Sequence, residues 1–118
     1  MPIRRMKTYS GENGIVYQYY FLESRPRRRL WGSGGTAFLF HVTSDRKNFW
    51  VCEVVVEEEA LRAWEKTHGR ALAEQERYAA AKMALFRAFD GSSRPEELLR
   101  VRVSKAEIES LLEPLHLD

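Results

Sequence analysis

Residues 15–22 read IVYQYYFL, aromatic and β-branched almost throughout, which is the composition strands prefer. Two further runs follow, TAFLFHV over residues 36–42 and NFWVCEVVV over 48–56, with the polar TSDRK between them. A link that short predicts a hairpin, so these two strands pair antiparallel. Along the third strand Trp50, Cys52, Val54 and Val56 share one face, and Phe49, Val51, Glu53 and Val55 share the other. Only Glu53 interrupts the second set, which predicts a central strand covered on much of both sides.

The hydrophobic period then lengthens. EEEALRAWEKTHG places Leu61, Trp64 and His68 on one helical face, with glutamates at the front where the helix dipole favours negative charge. Gly69 supplies a left-handed stop. Residues 72–91 form the strongest predicted helix, with Tyr78, Leu85 and Phe89 on one stripe and Ala79, Met83 and Phe86 on an adjoining one. Phe86 is expected to be a core residue of this helix. The breaker DGSSRPEE precedes LLRVRVS, where Leu99, Val101 and Val103 alternate with Arg100 and Arg102 in the pattern of a half-exposed strand. Ser104 and Glu107 predict a capping box ahead of a last helix whose apolar face is Ile108, Leu111, Leu112 and Leu115, with Pro114 near its end. The expected fold is a single α+β domain over residues 1–118, in the order β-β-β-α-α-β-α. A small antiparallel sheet of three N-terminal strands and a fourth packs on two to three helices, and residues 1–13 form a flexible basic arm.

Composition narrows the class. In 118 residues, 44% are hydrophobic and 31% charged, which is ordinary for a globular domain and unlike a disordered chain. No apolar run nears the roughly 20 residues that cross a bilayer, and the basic N-terminus has no apolar segment behind it, so neither a membrane span nor a secretory signal is expected. The single cysteine excludes an internal disulfide framework and suits the reducing cytoplasm. Net charge is only +2, but residues 1–56 hold nine Lys and Arg against four Asp and Glu, whereas residues 57–118 hold ten against thirteen. Such asymmetry can mark a face for an anionic partner, and it also arises when glutamate-rich helices follow strands.

Catalytic chemistry is poorly represented. His41, His68 and His116 lie on different elements, without the close pairing of zinc ligands, so no metal or other cofactor is expected. Cys52 shares a face with Trp50 and Val54, the setting of a buried, inert thiol. There is no G-x-S-x-G elbow, and GSGG lacks the Lys and following helix of a phosphate-binding loop. Glu53, set among strand apolars, is expected to pair with Arg100 or Arg102. A binding domain without enzymatic activity is the expectation.

The candidate site is the stretch ESRPRRRLWGSGG between the first two predicted strands. Pro26 keeps its neighbours extended, so Arg25, Arg27, Arg28 and Arg29 stand along an exposed connection. Guanidinium groups bind phosphate through paired hydrogen bonds, and Trp31 offers a ring to stack on a base. Arg4, Arg5 and Lys7 of the arm extend the basic surface. On the neighbouring strand Tyr17 and Tyr19 lie on one face and Tyr20 on the other, and sheets that stack unpaired bases present aromatic residues in this way. The expected ligand is nucleic acid, on single strands or with the sheet laid in a duplex groove. The alternative is an acidic protein partner anchored by Trp31 on the same surface.

Overall fold

The alternating segments assemble into one sheet in the computed structural model, which describes residues 5–27 and 34–117. Its strands are β1 (Lys7–Ser10), β2 (Val16–Arg27), β3 (Gly35–Thr43), β4 (Phe49–Glu57) and β5 (Arg100–Val103), and their spatial order follows the sequence. The helices are α1 (Glu58–His68), α2 (Glu74–Gly91) and α3 (Ile108–Leu112). The α+β class and the strand-strand-strand-helix-helix order agree with the sequence pattern. The sheet has five strands rather than four, and β5 joins β4 in parallel. Parallel neighbours need a long crossover, which α1 and α2 provide here.

The additional strand is β1. Lys7–Ser10, expected to belong to a flexible arm, pairs antiparallel with Val16–Tyr19. Its anchors lie about 80 residues away, at the C-terminal end of α2. Tyr9 Oη donates to Asp90 Oδ2 at 2.7 Å, and the Glu12 amide donates to Asp90 Oδ1 at 2.9 Å. Asn13 Nδ2 donates to the Phe89 carbonyl at 3.0 Å. No local pattern announces contacts of this range.

Tyr17, Tyr19, Phe38, Phe40, Val42, Cys52, Val54, Val56 and Val103 turn one sheet face toward the helices, where they meet Ala60, Trp64, Leu85, Phe89, Ile108 and Leu111. α2 approaches through Ala80, Ala81, Ala84, Leu85 and Phe89, and its alanines admit the close helix–sheet contact that lets Phe89 stack on Tyr17 at 3.9 Å. Phe86 departs from expectation. It is only half-buried, stacking on Tyr9 at 4.3 Å beside the core. One helical step of rotation separates it from the fully buried stripe.

Helix ends follow local chemistry. Gly69 adopts φ 75° and its N–H donates to the Glu65 carbonyl at 2.8 Å, closing α1 in the left-handed conformation. In the first turn of α2, Glu76 accepts from Nη1 and Nη2 of Arg70 and from the Ala73 amide, which lowers its carboxyl to about 2. Ser104 Oγ donates to Glu107 Oε1 at 2.8 Å, side chain to side chain, and α3 takes Glu107 as its N-cap without a side-chain cap bond, so the expected capping box does not form. Ile108, Leu111 and Leu112 are buried, whereas Leu115, past the end of α3, is exposed. Among the described residues no helix is long and apolar enough to cross a membrane.

Candidate binding face of the sheet

None of the residues in the cluster packed on the helices comes from the second sheet face, and α1, α2 and α3 do not cover it. Register places its residues in rows across the strands. Gln18, Thr43 and Phe49 form one row, Tyr20, His41 and Val51 the next, and Glu23, Leu39, Glu53 and Arg100 the one after. Arg25, Ala37, Val55 and Arg102 follow, then Arg27, Gly35 and Glu57. A bulge between Phe21 and Glu23 allows β2 to keep this face aligned over twelve residues.

The face has two halves. In the charged half Arg27 on β2 reaches over β3 to form an ion pair with Glu53 on β4, and Arg100 Nε meets the same Glu53 oxygen at 3.0 Å. Arg102 approaches Glu57 at 3.9 Å and Arg25 approaches Glu23 at 3.7 Å. Ala37, Leu39 and Val55 are buried in the rows these arginines occupy, and arginine stems can cover apolar surface while their heads stay polar. In the open half the Tyr20 hydroxyl is hydrogen-bonded to His41 Nδ1, with their rings 5.1 Å apart. His41 lies 4.9 Å from the Phe49 ring. Three rings thus stand on three adjacent strands. Phe49 is 43% exposed and Val51 46%, so β4 is interior to the sheet yet uncovered along this stretch. That corrects the expectation of a strand covered on much of both sides.

The β3–β4 turn borders the open half. Asp45 accepts the backbone N–H groups of Asn48 and Lys47 at 2.8 Å each and the Asn48 side chain at 2.8 Å, and these bonds hold its carboxyl well below the usual range. Arg46 takes φ 65° to close the turn. Arg46 and Lys47 are both exposed there and enter no salt bridge among the described residues.

No protein-family model, curated protein or solved structure matches this chain. The chemistry of its own residues carries the functional reading.

The sequence-derived site residues divide three ways. Arg25 and Arg27 belong to β2 rather than to a loop, because pairing with β3 continues to Arg27↔Gly35. Pro26 is tolerated since, among the described residues, β1 pairs only with Val16–Tyr19 and leaves that side of β2 an edge. Lys7 shares the helix-side face with Tyr19, its register partner, and lies beside Lys82, whose pKa is lowered by burial and then by Lys7. It is therefore on the opposite face from Arg25 and Arg27. Arg5 is exposed ahead of β1. Arg4, Arg28, Arg29 and Trp31 lie outside the described residues. Tyr17 and Tyr19 are core, and Tyr20 alone of the three faces away from the helices. The expected Glu53–Arg100 pair forms, with Arg27 in place of Arg102 as the second cation. His41 and Phe49 were legible only as a lone histidine and a strand aromatic. Alternation from Tyr20 and Val51 through the hairpin would have found them.

Among the described residues no three His, Cys, Asp or Glu side chains gather as metal ligands. Cys52 is fully buried, and burial, followed by the neighbouring Glu53 charge, pushes its thiol up to about 12. The thiolate is the reactive form. The native protein should therefore resist a water-soluble disulfide reagent at pH 8 and release one thiol equivalent only on unfolding. Rapid labelling of the folded protein would contradict the placement of β4.

Proposed function

We propose that this chain is a non-enzymatic nucleic-acid-binding domain that holds single strands across the helix-free sheet face. The observation that carries the reading is the cluster of Tyr20, His41 and Phe49, in two adjoining rows on three adjacent strands, bordered by Arg46 and Lys47 at one end and by the arginines of β2 and β5 at the other. Aromatic faces stack on any unpaired base, and cations along the rim track the phosphates. Bases within a duplex are stacked on one another and do not offer these faces, which favours single strands. Arg28, Arg29 and Trp31, outside the described residues, are carried in this reading as further contacts by their chemistry alone. The buried free Cys52 suits the cytoplasm as the compartment.

Fluorescence anisotropy with a labelled oligothymidylate of about 12 nucleotides tests it. Phe49→Ala should weaken binding by about 1–3 kcal/mol with little change in salt slope, since stacking releases no counterions. Replacing Arg28 and Arg29 together by alanine should instead flatten the slope by roughly 1.4, about 0.7 for each phosphate no longer neutralised. A protein partner is the second reading, favoured by exposed Val16, Phe49 and Val51 beside a rim of paired charges. If the wild type binds neither single strands nor duplex at low salt, the nucleic-acid reading fails and this one replaces it.

A further inference from the structure

We infer that Arg27, Glu53 and Arg100 together form a phosphate subsite on this face, with Glu53 standing in for a phosphate oxygen while the site is empty. The inference rests on the single-strand reading and adds to it the position of the backbone contact and an internal competitor.

Two guanidinium groups from strands on either side of β3 and β4 converge on one carboxylate oxygen, Glu53 Oε1. One negative charge faces two positive ones, so the cluster keeps a net positive charge. Each arginine has five N–H donors, and among the described residues each uses one here. Arg100 is more than half exposed, so its remaining donors are open to solvent, whereas the Glu53 side chain is only 18% exposed beneath them. Arg102 adds a further cation one row on. Its 3.9 Å approach to Glu57 is too long for a hydrogen bond. The geometry also sets a spacing. Glu53 occupies the row next to Tyr20, His41 and Val51, and successive rows on one face of a strand lie about 6.7 Å apart. That is of the order of the step between neighbouring units of an extended single strand. A base on the aromatic row would therefore leave an adjoining phosphodiester over the arginines. Guanidinium binds carboxylate and phosphate through the same planar fork, so a carboxylate can hold the arginines in position before the strand arrives. The same charge then repels the incoming phosphate.

The sign of one substitution distinguishes this arrangement from an ordinary structural ion pair. Glu53→Gln keeps the shape and removes the charge. With the oligothymidylate probe at moderate salt, it should bind about fivefold more tightly than the wild type, the effect of one partly exposed charge, and show a steeper salt dependence. Arg100→Gln should do the reverse, weakening binding and flattening the slope by about 0.7. Thermal melting of both variants reports folding, and Arg100, exposed at the sheet edge, keeps the test decisive if Glu53→Gln is unstable. Suppose the wild type binds and Phe49→Ala weakens it, but Glu53→Gln binds no better and Arg100→Gln leaves the slope unchanged. The phosphate subsite is then wrong while the aromatic platform stands. If neither wild type nor Glu53→Gln binds the probe, the platform reading and the subsite fall together.

Discussion

Phe89→Ala lowers stability by about 3–5 kcal/mol, a loss that reflects both the buried surface removed and the cavity left behind. Phe89 has no exposed surface, stacks on Tyr17 at 3.9 Å and lies within 6.4 Å of the Tyr9 and Tyr19 rings. It also precedes Asp90, which fastens β1 and its turn to α2. Truncation therefore loosens β1 as well as the core. In a domain of this size the melting temperature should fall by roughly 10 °C or more. Phe86→Ala is the internal comparison. Its ring is half-buried and touches chiefly Tyr9 and Tyr19, so the loss should be about half as large. Equal losses, or a larger one at Phe86, would show that α2 is rotated from the orientation described.

Gly35→Ala should destabilise through a different cause. A Cβ at Gly35 would meet the backbone carbonyl of Val56 well inside van der Waals contact, with the Val56 and Glu57 backbone atoms also close. Backbone in a paired strand has little room to yield. Gly35 sits between Arg27 and Glu57 in the ladder, and the preceding Gly34 carbonyl accepts the Glu58 N–H at 2.9 Å where α1 begins. Relieving the clash would shift the β3–β4 register or pull on the start of α1, at a cost of about 1–3 kcal/mol or more. Urea unfolding should show a lower midpoint with an unchanged slope. Gly91→Ala, at the end of α2 with open space around it, should be neutral or gain up to about 1 kcal/mol. A wild-type midpoint for Gly35→Ala would mean that the two strands are farther apart at this end.

Strand and helix identity was legible wherever the relevant force was local. Alternation in β3 and β4, the five-residue link between them, Gly69 at the end of α1 and the alanine-rich run of α2 all act within a few residues. β1 was not legible, because its four residues are fastened by Asp90 and Phe89 from the far end of the chain. The candidate site shows the same division. Arg27 and Arg100 were visible as arginines, and Glu53 as an acid in need of a partner, but their convergence on one oxygen depends on strand register across four strands.

Sequence alone determined the α+β class, the order of the main elements, the buried state of Cys52 and which residues share a face on β4. These follow from side-chain periodicity and backbone propensity, which each segment carries by itself. Only the tertiary structure decided that β5 runs parallel to β4, that Phe86 sits beside the core rather than in it, and that α1, α2 and α3 all pack on one face of the sheet. Each depends on where distant segments pack, and the burial of long-range partners contributes more than any local preference. For that reason Tyr20, His41 and Phe49, apart in sequence and unexceptional in composition, become one surface only when three strands bring them into adjacent rows.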